Sequence, residues 1–169
     1  AVPGPTDTPP NGQSLPYPNQ VTFEFDLSHS YPATLVTIAN TQPGGVAASD
    51  IVLDGNIVNP MGWTVVSNAR GHIGAGPDAA SELLTTNRLV ITAPLGSIGA
   101  RASATASRAP VSVRLVRFTG SDGVVRDPFL DARAAGDLVL DLAPMDRSAD
   151  PAPATADWAI ATLWAGHDV

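Results

Sequence analysis

Apolar and polar residues alternate along this chain in short runs, and this pattern predicts β-strands. Residues 21–27 (VTFEFDL) alternate strictly, and residues 111–118 (VSVRLVRF) alternate with one break, with arginines on the polar side. Other short apolar runs lie between them and are ended by Gly, Pro or Asp-Gly turns. No stretch has the 3.6-residue period of an amphipathic helix. The pattern therefore predicts an all-β domain.

One stretch of the chain occurs twice. Residues 65–75 (VVSNARGHIGA) align without a gap with residues 90–100 (VITAPLGSIGA). A fixed period of this length is typical of repeat architectures, in which each unit buries its apolar side chains against its neighbour. We therefore predict a parallel β-solenoid, like a right-handed β-helix, with rungs of about 25 residues. An antiparallel β-sandwich is the alternative that fits the same short strands.

The repeat also predicts which residues stack. Val65 is expected to lie over Val90, and Ile73 over Ile98, with both pairs in the core. The repeated glycines are expected at corners that require a positive φ or a close approach of two backbones. Residues 120–123 (GSDG) are a candidate for a degenerate third copy. The predicted structural-repeat residues are Gly71, Ile73, Gly74, Gly96, Ile98 and Gly99.

The two ends of the chain differ from its middle. Residues 1–20 contain six prolines and predict an extended tail or linker, either free or docked along the domain. Residues 21–169 form a single β-rich domain in this interpretation. Residues 164–169 (WAGHDV) resemble the beginning of the unit at residues 135–142, so we interpret the domain as cut from a longer repeat array. A closing C-terminal strand is the alternative.

Composition narrows the classes of partner. The chain has 15 Gly and 16 Pro, no Cys and no Lys, and a net charge of −7. An acidic protein without a basic surface is poorly suited to nucleic acid or to an anionic membrane. Without Lys there is no phosphate-binding loop of the P-loop type. The chain also lacks the long apolar run that membrane insertion requires.

The order of several motifs resembles the β-strand-repeat, or filamentous-haemagglutinin-like, passages of very large bacterial exported proteins. The resemblance covers roughly residues 33–142. It is carried by residues 59–62 (NPMG), 67–73 (SNARGHI), 86–99 (TNRLVITAPLGSIG), 110–115 (PVSVRL) and 135–142 (AGDLVLDL). What it implies is an extended β-helical segment at the cell surface or in a secreted filament, with adhesion or scaffolding as its role. It implies no catalytic residues.

Few residues suggest a chemical site. The acidic residues Asp122, Asp127 and Asp131 are candidates for calcium, although turn-forming aspartates on a solvated edge explain them as well. The histidines have no partner at metal-ligand spacing. Arg114, Arg117 and Arg126 form a candidate stripe for an anionic glycan, but solvated strand edges explain these arginines equally well. We predict no catalytic residues and no cofactor other than calcium.

These observations predict a structural or adhesive segment of an extracellular surface or filament protein, without enzymatic activity. Its expected partners are other protein segments or copies of itself, with surface glycans as a further class. The alternatives are a carbohydrate-binding or polysaccharide-degrading β-domain, which requires a cleft lined by Trp and Asp, and a filament subunit whose N-terminal strand docks on the next copy.

Overall fold

A computed structural model describes residues 19–26, 33–41, 48–76, 84–100, 109–120, 122–144 and 160–167. These residues form strands, bridges and turns, and the described part of the chain contains no helix. The all-β prediction is therefore confirmed. The strands are β1 (Asn19–Asp26), β2 (Ala33–Asn40), β3 (Ile51–Leu53), β4 (Ile57–Asn68), β5 (Ile73–Ala75), β6 (Leu84–Ala93), β7 (Val111–Leu115), β8 (Phe118–Thr119), β9 (Val125–Arg126), β10 (Phe129–Ala134), β11 (Leu140–Leu142) and β12 (Ile160–Ala165).

The chain winds into a β-solenoid of about three turns, because strands of successive turns pair in parallel. The first face of the coil consists of β2, the C-terminal halves of β4 and β6, β10 and β12. The second face consists of β3, β5 and single bridging residues of later turns. The third face consists of the N-terminal parts of β4 and β6, followed by β7 and β11. This topology confirms the solenoid and rules out the antiparallel sandwich.

At one end of the coil β1 runs antiparallel along the outer edge of β2 over eight residues. The strand begins at Asn19, two residues inside the segment that the sequence predicted as a tail. A second antiparallel pair, β8 with β9, forms a short hairpin. This hairpin contains the sequence predicted as a degenerate third copy, and that prediction is wrong. The true third copy follows β10, where Leu138 bridges to Ile98.

The repeat period holds at the predicted positions. Val65 pairs in register with Val90, and Ile73 bridges to Ile98. Ile73 and Ile98 are fully buried, as predicted. Val65 and Val90 are only half-buried, because they lie on the outer side of the first face. The core prediction is wrong for this pair: its neighbours Val66 and Ile91 are the buried residues, since side chains alternate between the two sides of a strand.

Glycines allow successive turns to approach closely at the corner after the first face. A Cβ on Gly71 would overlap the carbonyl oxygen of Ser49, and one on Gly96 would overlap the carbonyl oxygen of Gly71. Neither glycine has a positive φ, so close approach is the reason for both. Gly99 differs from its repeat partner Gly74, because Gly99 alone of the two has a positive φ, of 67°. The two copies therefore diverge after the stacked isoleucines.

Polar side chains at the same corner connect one turn to the next. The Asp50 carboxylate accepts a hydrogen bond from the backbone N–H of His72 at 2.9 Å. His72 Nδ1 accepts one from the N–H of Ser97 at 2.9 Å, and Ser97 Oγ accepts one from the N–H of Asp137 at 3.1 Å. The last step is looser, since His167 Nδ1 lies 3.7 Å from the Asp137 carboxylate. We call these five residues the corner ladder.

Replacing Gly96 by alanine should destabilise the coil, because the added methyl group meets the backbone of the previous turn rather than a movable side chain. We expect the free energy of unfolding to fall by about 1–3 kcal/mol. Leu95→Ala, a change at an exposed neighbour in the same turn, should change it by less than about 0.5 kcal/mol. Urea unfolding of both variants measures the difference, and equal stabilities would contradict the close-approach explanation.

Removing the imidazole of His72 should leave the N–H of Ser97 without its acceptor. We expect His72→Ala to lower the free energy of unfolding by about 1 kcal/mol. His167→Ala is the matched control, because His167 is exposed and makes the loosest contact of the corner ladder. Thermal unfolding compares the two, and a control that loses as much stability as His72→Ala would show that the ladder bond is not responsible.

Candidate functional site

The hairpin formed by β8 and β9 contains the first calcium candidate, Asp122. Its Oδ2 lies 2.6 Å from Nη2 of Arg126, and its Oδ1 accepts a hydrogen bond from the N–H of Val124 at 3.0 Å. Arg126 also donates to the carbonyl oxygen of Val124 at 2.7 Å. Both carboxylate oxygens of Asp122 are thus engaged in closing the hairpin turn.

The other two calcium candidates are also paired with arginines. Asp127 Oδ1 accepts a hydrogen bond from Nε of Arg117 at 2.8 Å. Asp131 accepts two, from Nε and Nη2 of Arg133, at 2.8 and 2.9 Å. Such two-point pairs between a planar guanidinium and a carboxylate are the favoured geometry of this ion pair. The structure therefore places Asp122, Asp127 and Asp131 in three separate ion pairs.

No metal centre emerges from the described residues, which contain no group of three or more His, Asp or Glu side chains placed to hold an ion. The three arginines of the predicted basic stripe do not act as one positive surface. Arg117 and Arg126 are neutralised by aspartates, and Arg114 lies apart from them on β7. Of the histidines, His72 and His167 belong to the corner ladder, and His29 lies outside the described residues.

A small cavity lies between the second and third faces. It is lined mainly by apolar side chains, among them Leu53, Ile57, Leu84 and Val111, and its volume is about 10 Å³. That is room for a single water molecule and not for an organic ligand. The described core residues pack into one cluster, so we look for a candidate functional surface on the outer side of the coil.

The outer side of the first face carries a column of side chains from three neighbouring strands. Trp63 of β4 is in register with Arg88 of β6, which is in register with Phe129 of β10. The guanidinium carbon of Arg88 lies 4.8 Å from the centroid of the Trp63 ring and 5.7 Å from that of the Phe129 ring. Both distances are within cation–π range. We call these three residues the aromatic–arginine column.

The aromatic–arginine column was missed at the sequence level, although part of its signal was there. Trp63 and Arg88 are separated by one repeat period, so the period alone aligns them. Phe129 follows Arg88 at a longer spacing, because the hairpin of β8 and β9 is inserted between their strands. No period in the sequence predicts that alignment.

The last turn of the coil has strand edges and leucines that no described residue covers. Leu163 of β12 is in register with Ala132, and Leu142 of β11 is in register with Val113. Ala132 and Val113 are fully buried, whereas Leu163 is 44% exposed and Leu142 is 54% exposed. Within the described ranges, β11 and β12 each pair on one side only. We call the free edges of β11 and β12, with these two leucines, the open end.

No protein-family model, no curated protein and no solved structure matches the chain. The resemblance to filamentous-haemagglutinin-like passages therefore stays a prediction. None of the residues that the structure describes forms a helix long and apolar enough to span a membrane.

Because each aspartate candidate is already paired with an arginine, calcium should bind the folded chain negligibly. We expect the melting temperature in millimolar calcium and in EDTA to differ by less than about 1 °C. Asp127→Asn, which weakens the pair with Arg117, should lower the melting temperature equally in both solutions. A calcium-dependent rise in the melting temperature that Asp127→Asn abolishes would contradict this prediction and would indicate a calcium site at Asp127.

Proposed function

We propose that this chain is a structural segment of an extracellular surface or filament protein, that it joins further β-strands at the open end, and that it has no catalytic role. The observation that carries the proposal is the exposure of inward-facing leucines on the last turn. The placement outside the cell and the adhesive role come from the sequence resemblance and are part of the same proposal.

The open end is chemically suited to another layer of strands. A strand with one free edge presents a row of backbone N–H and C=O groups that a second strand can pair with. Soluble proteins commonly protect such edges with charged residues or prolines. The sequence of β12, IATLWA, contains neither. Covering it would also bury Leu163 and Leu142, which gains roughly 25 cal/mol for each Å² of apolar surface removed from water.

The assembly expected from this geometry is a chain of copies joined end to end. The open end lies at the opposite side of the coil from β1, which covers the first turn. Contact between two different ends is heterologous, so it continues into a filament unless the rotation closes a ring. Solenoids behave in this way because each turn contacts only its neighbours.

A charge on the open end should prevent association without disturbing the core. We expect the wild-type chain to associate as its concentration rises and Leu163→Asp to remain at the monomer mass of 17.3 kDa. Leu95→Asp is the matched control, because Leu95 is an exposed leucine that lies in an earlier turn of the coil and not at the open end. Sedimentation velocity over a concentration series measures the masses. A monomeric wild type, or equal loss of association in both variants, would refute end-to-end joining.

The extracellular location of the protein is tested by an experiment that does not depend on self-association. An antibody raised against the chain should label intact source cells, and mild protease treatment of those cells should remove the signal. Retention of the antigen inside protease-treated cells would refute the extracellular part of the proposal and leave the end-to-end joining untouched.

A further inference from the structure

The aromatic–arginine column combines a fixed cation with exposed ring surface. Arg88 lies between two aromatic rings on the strands to either side, and Trp63 is 41% exposed. A cation–π contact is made with the face of the ring, and it provides no hydrogen-bond acceptor for the guanidinium N–H groups. The ring contacts of the column therefore do not occupy the N–H donors of the arginine.

Unlike three other arginines of the coil, Arg88 has no carboxylate partner within the described ranges. Arg117, Arg126 and Arg133 are each paired with an aspartate at 2.6–2.8 Å. For the Arg88 guanidinium the structure gives two ring contacts and, among the described residues, no ion pair or hydrogen bond. In a chain with a net charge of −7, an arginine that is held between two rings and has no acidic partner among the described residues is a place where an anionic group can be bound.

The column lies on the outer side of the first face, which extends over five neighbouring strands in the described part of the chain. Trp164 of β12 lies three strands away from Trp63, which is roughly 14 Å across the sheet at the usual strand spacing. It is also displaced along the strands, because the residue of β12 in the same row as Trp63 is Ile160. Trp164 is 55% exposed and in register with Arg133, whose charge is neutralised by Asp131. Small metabolites are bound in enclosed pockets, whereas a flat surface with separated aromatic groups suits a ligand that makes several contacts along its length.

We propose that the outer side of the first face binds an acidic polysaccharide, with a sugar carboxylate on Arg88 and a sugar ring against Trp63. The planar guanidinium matches a carboxylate in two-point geometry. An aromatic ring beside polar groups suits a pyranose ring, which has an apolar face and a polar rim. The negative charge of the chain as a whole opposes densely charged polyanions, so a uronic-acid polymer with one carboxylate per sugar is the class that fits. This binding does not depend on end-to-end joining, because it uses the side of the coil.

The experiment uses a galacturonic acid hexamer and the same hexamer with its carboxylates methyl-esterified. Isothermal titration of the full-length chain should show binding of the acid, weakened by added salt, and binding of the ester at least about tenfold weaker. A tenfold change in affinity corresponds to about 1.4 kcal/mol, which is within the range of one hydrogen bond to a charged group.

Substitutions of single arginines then show which residue binds the galacturonic acid hexamer. Arg88→Gln should weaken binding of the acid about tenfold or more, and Arg88→Lys, which keeps the charge without the planar fork, should fall between it and the wild type. Arg114→Gln is the matched control, because Arg114 is a half-buried arginine on the outer side of β7 with no ion pair among the described residues. Its affinity should stay within about twofold of wild type.

Three results would overturn this inference. They are no binding of the acid by the wild type at millimolar concentration, equal affinity for acid and ester, and equal affinity of Arg88→Gln and wild type. Sedimentation velocity of Arg88→Gln tests whether a second copy of the chain covers the column. A loss of self-association in that variant would show that a second copy of the chain, and not a glycan, covers the column.

Discussion

Close contact between successive turns at the corner after the first face sets the geometry on which the rest of the coil depends. Gly71 and Gly96 bring each turn against the backbone of the one before, and Gly166 repeats this close approach in the last turn. Parallel strands pair only when neighbouring backbones lie about 4.8 Å apart. A side chain at this corner would separate the turns and so disturb the strand pairing on all three faces. The corner ladder adds hydrogen bonds at the same place, so the corner is held both by shape and by polar contacts.

The sequence predicted this fold to the extent that the fold repeats itself. The repeat period correctly aligned Val65 with Val90 and Ile73 with Ile98, because an uninterrupted turn places residues one period apart on top of each other. It failed to say which valine faces inward. Val65 and Val66 are both β-branched and apolar, so the alternation that distinguishes the two sides of a strand is absent from the sequence there. It also failed after β7, where an inserted hairpin lengthens the spacing between paired residues.

The candidate site, like the fold, could be predicted from the sequence only in part. Asp122, Asp127 and Asp131 attracted notice because they are close in sequence, but closeness in sequence does not bring side chains together on an extended chain. Two of these carboxylates are neutralised by arginines within four residues, and Asp127 by Arg117, ten residues earlier. The aromatic–arginine column is formed instead by residues that are far apart in sequence and adjacent across strands. Strand register decides such contacts, and an interrupted repeat does not reveal its register.

The two proposed activities use surfaces that do not compete. Joining at the open end covers the edges of β11 and β12 and the inward-facing leucines, which lie at the end of the coil. Binding at the aromatic–arginine column uses the outer side of the first face, which runs parallel to the axis and stays exposed however many turns are added. Each added copy would therefore contribute another Arg88 to one continuous side of a filament. A weak contact with a single sugar polymer then becomes a strong one, since repeated sites on one rigid support raise the effective concentration for each further contact.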